Sequence, residues 1–368
     1  MSLSAPSHIA IVGAGLVGRL LAWRLLRQGK DVTLFEAAHF DAPVCAAHTA
    51  AAMISPMSEV AVSERAIFDM GLHSLSLWPV WLEELQLHAP EVVYSAEGSI
   101  VVAHAHDLSE LDQFYNDLNY HLGADNNARW LTGTDLRQLE PDLSHQLDTG
   151  LYLPGEAHLD NRQLLKSLLH AINALGGHCI EQQPLSLTGD QRDEDILSAF
   201  DLCIDCRGLG AKGVRQQLRG VRGEVLWVET GEIQFHHPIR LMHPRYKLYV
   251  VPKPQNKMII GATEIESEDR SPVSVQSMLE LGSALYTINP AFAEARIVEL
   301  DANLRPAYLD NLPSIQTSEL PLRQRNIPLL SINGLYRHGY LLAPTLVDDA
   351  LNRIAHLPTE PLQAATPL

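Results

Sequence analysis

Residues suited to chemistry cluster at three places in this 368-residue chain. The first is Gly13-Ala14-Gly15-Leu16-Val17-Gly18, which follows the apolar run Ile9 to Val12 and opens a stretch with Leu16, Leu20, Leu21, Leu25 and Leu26 on one helical face. A strand, a glycine turn and a helix N-terminus in that order aim backbone N–H groups at a pyrophosphate. Gly13 permits the turn, Gly15 lets the backbone approach the ligand, and Gly18 brings helix and strand together. Arg19 and Arg27 are expected on the wet side of the helix, and Gly29 stops it. Val32 to Phe35 makes a second strand ending at Glu36, a carboxylate able to accept from ribose hydroxyls. An acid there argues against a 2′-phosphate and leaves NAD and FAD open.

The second place is Ala46-Ala47-His48-Thr49-Ala50-Ala51-Ala52-Met53-Ile54-Ser55-Pro56, too small and apolar for an ordinary surface loop and suited to a bulky cofactor lying against backbone. The third is Asn333-Gly334-Leu335-Tyr336-Arg337-His338-Gly339-Tyr340-Leu341, where charged and aromatic side chains sit among glycines at a strand-to-helix turn, with Asn303-Leu304-Arg305-Pro306 ahead of it.

Other chemistries find little to use. Cys203 and Cys206 form a C-x-x-C inside an apparent strand, where the odd offset puts them on opposite faces, so neither a redox pair nor a metal clip is expected. His104 and His106 are read as neighbours on one solvated strand face. There is no H-E-x-x-H, G-x-S-x-G or Walker A loop. With 44 acidic and 27 basic residues the net charge of −17 repels phosphate backbones, which argues against nucleic acid. Residues Met1 to His8 lack the pattern of a secretory leader and no apolar run reaches membrane-spanning length, so a soluble cytoplasmic protein is expected.

Positioning these groups requires two kinds of sheet. Leu202 to Cys206 and Leu329 to Ile332 read as further parallel strands, and Asp160 as the cap of a helix from Arg162 to Leu175. A longer helix is expected from about Glu64 to Leu87, with Pro79 inside. The run Thr188 to Glu194 reads as a surface loop. By contrast Val225 to Val228, Lys247 to Val251 and Lys257 to Ile260 are short β-rich runs separated by turn residues, the texture of an antiparallel sheet. A discontinuous α/β nucleotide domain over residues 1–89, 146–219 and 306–368 and a second domain over 90–145 and 220–305 follow from this pattern.

The ordered set of N-terminal βαβ unit, Ala-Ala-Ala-Met loop, Leu248-Tyr249-Val250-Val251-Pro252-Lys253, Gly261-Ala262-Thr263-Glu264, Arg305-Pro306 and Arg337-His338-Gly339 resembles the D-amino-acid oxidase family of flavoproteins, and within it the glycine-oxidising members that serve thiamine synthesis. The resemblance implies an FAD-binding Rossmann-like parallel sheet beneath a substrate domain with an antiparallel sheet. It places FAD contacts on Leu16, Val17, Glu36, Ala37, Ala46, Ala47, Ala51, Ala52 and Met53, and again on Leu335, Tyr336, Arg337, His338, Gly339, Tyr340 and Leu341. Arg305 becomes the carboxylate-binding arginine, Tyr249 a substrate-side hydroxyl, and Arg337 a second arginine at flavin and substrate. Two positions depart from the family pattern: Asn303 stands where small or aromatic residues are common, and Lys247 where histidine occurs.

The implied activity is FAD-dependent oxidative deamination of glycine or another small amine, with molecular oxygen as acceptor, in a chain that could form a homo-oligomer. A D-amino-acid or sarcosine-type secondary-amine oxidase or dehydrogenase is the enzymatic alternative, and a non-catalytic FAD-binding protein the alternative of another class. The chemistry itself needs no metal and no nucleophile. The carboxylate must be held, for which a guanidinium offers a two-point match, and the amine must be neutral when its carbon is oxidised.

Overall fold

The computed structural model describes residues 6–61, 63–215, 217–244 and 248–357. Its first layer is a six-stranded sheet in the order Ser314–Pro321, Asn326–Asn333, Leu202–Asp205, His8–Val12, Asp31–Phe35, His178–Ile180. All neighbours run parallel except the Ser314–Pro321 edge, which returns antiparallel on Asn326–Asn333. Ile9 and Ile11 are wholly buried, as expected of a central parallel strand covered on both faces.

The helices Leu16–Arg27, Asn161–Ala174 and Gly339–Ala355 supply buried side chains to the main core of this layer, with Trp23 and Trp78 among its largest members. Asp160 caps the second of these helices, accepting from the N–H groups of Arg162 and Gln163, each at 3.1 Å. The long helix runs Arg65–Gln86 with Pro79 inside it. It meets Gly339–Ala355 closely because Gly71 has no side chain: a Cβ there would lie 2.7 Å from Leu341 Cδ1. Trp78 Nε1 donates to the Tyr340 carbonyl at 3.0 Å across the same contact.

The second layer is an eight-stranded sheet in the order Arg296–Ala307, Arg219–Glu229, Lys257–Gly261, Leu248–Lys253, Ile239–Met242, Ser99–Ala103, Thr149–Leu153, Arg129–Thr132. It is antiparallel except where Ile239–Met242 runs parallel to Ser99–Ala103. Thr149–Leu153, drawn with the nucleotide domain in the sequence reading, hydrogen-bonds into this second sheet.

Three local expectations are corrected. Arg19 is buried, not wet: its guanidinium donates to the carbonyls of Ala14, Leu165 and Phe40, which makes its burial tolerable. The Thr188–Glu194 run is not a plain loop, because Asp190 caps a short helix, Gln191–Leu197, and Asp193 is buried accepting from Ser186 and Thr188. His104 and His106 do not share a strand face. The strand stops at Ala103 and a 3-10 turn over Ala105–Asp107 stacks their rings 5.7 Å apart. Lys247 lies outside the described residues.

Candidate active site

Between the two layers lies a cavity of about 1400 Å3. Every residue expected at the cofactor or substrate lines it except Gly18, which sits against the turn instead: a Cβ at position 18 would lie 2.0 Å from the Gly13 carbonyl oxygen. Gly13 has φ +102°, and a Cβ there would lie 2.6 Å from the Cys206 carbonyl oxygen, so both conformation and space demand glycine. At Gly15 an added Cβ would meet nothing within 4 Å, so the backbone faces open cavity at the helix N-terminus, where a pyrophosphate can approach. Glu36 follows the second strand and lines the cavity. Its carboxylate accepts from Ala14 N at 2.7 Å and Ala37 N at 2.8 Å, tying the second strand to the glycine turn.

The alanine loop is held from behind through its carbonyls. Asn161 Nδ2 donates to Ala47 and His48, Tyr340 Oη donates to Ala47 at 2.9 Å, and the buried Lys253 ammonium donates to Ala51 at 2.7 Å and Leu159 at 2.6 Å. Burial pushes the Lys253 ammonium down to about 7. Ala52 sits at φ +55°, which turns the chain into the short strand Met53–Ile54. These residues fit the flat face of an extended dinucleotide: small side chains toward the cavity, polar anchors on the other side.

The roof contributes the substrate side. Tyr249 leans over its neighbouring strand, since a Cβ at Gly261 would lie 2.7 Å from its hydroxyl, and Arg305 leans over Gly223, where a Cβ would lie 2.4 Å from Nη2. The strands carrying Gly261 and Gly223 are hydrogen-bonded neighbours, so phenol and guanidinium face the same stretch of cavity. Arg305 donates to the carbonyls of Arg222 at 3.3 Å and Thr263 at 3.1 Å. Neither is a carboxylate, and among the described residues no carboxylate forms an ion pair with it. Burial raises the Tyr249 phenol above its ordinary range, against the opposing pull of Arg305 and Arg240, so it remains a hydrogen-bond donor.

Arg337 is in a different state. Its guanidinium pairs with Glu59 at 2.8 Å and Glu264 at 3.4 Å. Burial works against its charge, and the two carboxylates more than offset that. Glu59 also meets Arg240 at 3.3 Å and His338 Nδ1 at 3.4 Å. Burial alone would raise the Glu59 carboxyl, but Arg337, His338 and Arg240 bring it down to about 2. His338, desolvated at the start of the last helix, falls to about 4 despite Glu59. Sequence reasoning missed Glu59 and Arg240. A signal existed: Glu59 is a lone charge between the buried Met57 and Val60 directly after the alanine loop, and Arg240 lies cross-strand from Tyr249.

No group of His, Cys, Asp and Glu is placed to hold a metal among the described residues, and burial raises the thiols of Cys203 and Cys206.

A parallel dinucleotide sheet closed by an antiparallel roof, with an arginine and a tyrosine turned into the space between them, defines a nucleotide-cofactor oxidoreductase. The chain belongs to the FAD dependent oxidoreductase family, whose pattern matches residues 8–347. It is 37% identical over 348 residues, 94% of this chain and 96% of the relative, to a Rhizobium etli protein whose name proposes a thiamine biosynthesis oxidoreductase, ThiO. It is 26% identical to the glycine oxidase of Geobacillus kaustophilus across 94% of this chain and 93% of that one. The crystal structure of glycine oxidase from that organism superposes with a TM-score of 0.78 at 23% identity, covering 98% of this chain and all of the other, and so shares its fold.

Proposed function

We propose that this protein oxidatively deaminates glycine or a similarly small amine: glycine, oxygen and water give glyoxylate, ammonia and hydrogen peroxide, with the imine also available for thiazole formation in thiamine synthesis. The observation that carries this reading is the guanidinium of Arg305, which shares its stretch of cavity with the Tyr249 hydroxyl, has no carboxylate partner among the described residues, and opens on the space reached by the glycine turn. FAD, when bound, supplies the two-electron acceptor. The backbone at Gly15, the Glu36 carboxylate and the alanine loop would hold it. Arg305 would grip the substrate carboxylate at two points and Tyr249 would donate to it, which fixes Cα against rotation. Arg337, already matched by Glu59 and Glu264, takes a positioning part at the same wall rather than the carboxylate contact.

The four cysteines are all free thiols, which suits a reducing compartment and supports the cytoplasmic setting. No helix among the described residues is long and apolar enough to cross a membrane.

Anaerobic flavin reduction across a panel of amino acids, with peroxide release measured in air, tests the reading. Glycine, sarcosine or another small amine should react best, D-alanine should be tolerated, and large D-amino acids and all L-amino acids should be poor. A clear preference for D-phenylalanine, D-leucine or any L-amino acid overturns the small-amine assignment. A flavin that no amine reduces overturns the catalytic one.

A further inference from the structure

We propose that Glu264 sets the charge specificity of the cavity, holding it to a single uncompensated cation so that amines bearing one carboxylate are accepted and amines bearing two are excluded. This deepens the amino-acid oxidase reading and rests on it.

The charged groups that meet at Tyr249 and Tyr336 come from separate elements. Arg240, Arg305 and Arg337 contribute positive charge, and Glu59 and Glu264 contribute negative charge. His338 is neutral at pH 7, because burial holds it near 4. Of the other charged residues that line the cavity, Arg207 and Arg270 balance Glu36 and Glu280, so among the described residues the excess is one positive charge. An amino acid with a single carboxylate and the neutral amine that oxidation requires carries one negative charge and leaves the site neutral. A second carboxylate would leave an unmatched anion beside the Glu264 carboxylate, and like charges a few ångströms apart disfavour one another.

The two carboxylates differ in how firmly they are used. Glu59 is enclosed by Arg337, Arg240 and His338, with its side chain only 12% exposed. Glu264 is 49% exposed and has one long ion contact, at 3.4 Å to Arg337, and its carboxylate holds the Tyr336 phenol in its protonated form. Its backbone is nevertheless fixed. Thr263 N donates to Glu224 O at 3.2 Å and Ile265 N to Arg222 O at 2.9 Å, and the Thr263 carbonyl is itself an acceptor for Arg305. Glu264 thus follows directly on the residue that touches the carboxylate-binding arginine. Glu264 and Arg305 also act on the same phenol, that of Tyr336, so the Glu264 charge lies within reach of a group projecting from a substrate held by Arg305.

The test uses the FAD-loaded protein and its Glu264→Gln variant, which keeps size and removes charge. One arm compares kcat/KM for iminodiacetate, an amine with two carboxylates, with that for glycine. The other titrates the flavin absorbance with acetate and with malonate, neither of which is oxidised. The variant should raise the iminodiacetate-to-glycine ratio about tenfold and lower the malonate-to-acetate Kd ratio by a similar factor, equivalent to ~1.4 kcal/mol. Glu264→Asp should restore the parental ratios. Ratios that stay within twofold in both arms overturn the proposal. If no amine reduces the flavin, the oxidase reading fails while the binding arm still decides the charge selection. Glu264→Ala replaces the Gln variant if that one does not retain flavin, and loss of flavin from both shows Glu264 to be a structural partner and overturns the proposal.

Discussion

Arg305 owes its reach to an absence elsewhere. Because position 223 has no Cβ, the guanidinium lies flat on the neighbouring strand and turns both Nη atoms along the cavity wall. Removing one partner of a desolvated charge pair costs about 2 to 5 kcal/mol, so Arg305→Ala should lower kcat/KM on glycine by roughly 30-fold to several thousand-fold while leaving the flavin spectrum intact. An efficiency within a fewfold of the parent would make Arg305 a structural residue. Gly223→Ala is a finer probe. The three atoms nearest the new methyl all belong to the end of a flexible side chain, so the fold should survive, but the guanidinium must move, and a displacement of about 1 Å costs roughly 10- to 100-fold in efficiency. Steady-state kinetics with an unchanged unfolding midpoint would separate that from a loss of stability.

At the scale of elements, the alanine loop shows how backbone acceptors hold a cavity wall built of small side chains. Lys253 satisfies two of its buried neighbours at once, the carbonyls of Ala51 and Leu159. Lys253→Met keeps the length of the side chain and leaves both carbonyls without that donor, at about 1 to 3 kcal/mol each before the relief of burying an ammonium is subtracted. A lower melting temperature and weaker FAD retention are expected together; a variant with parental FAD affinity would detach the loop from the lysine. The same elements explain what sequence alone could tell. The strand, glycine turn and helix from Ile9 to Arg27 were legible because periodicity, turn chemistry and the Glu36 acid agree within one contiguous stretch. Tyr249 and Arg305 were legible only through resemblance, since strand pairing brings them together from distant parts of the chain. Arg19 misled because a helical arginine reads as wet until the three carbonyls that enclose it are known. Glu59 was illegible as a site residue for a related reason: its partners, Arg240 and Arg337, are supplied by the roof sheet and the last turn.

At the scale of the whole molecule, those buried groups tie stability to pH. His338 and His158 are held neutral by burial, near 4 and near 3 respectively, below the ~6.5 of an unfolded histidine. Between the folded and unfolded values the unfolded chain binds more protons, so stability present above pH ~6.5 is lost as the pH falls toward the folded values. Glu59 acts in the same direction over a lower window. Burial opposes its charge but its cationic partners hold it near 2, so its contribution is complete above the unfolded value of ~4.3 and disappears as the pH drops through the folded one. Unfolding free energies measured in urea from pH 8 to pH 2 should therefore fall with acidification, first through the histidines and then, below pH ~4.3, through the carboxylate. Glu59→Gln, which keeps the shape and removes the charge, should cost about 2 to 3 kcal/mol at pH 7 and flatten the profile below pH ~4.5. His158→Asn should instead flatten it between pH ~6.5 and ~4, leaving the lower window intact. A parental profile level across pH 8 to 2, or a Glu59→Gln variant as stable as the parent at neutral pH, would show that the ionic cluster joining the roof to the nucleotide sheet contributes nothing to holding the two layers together.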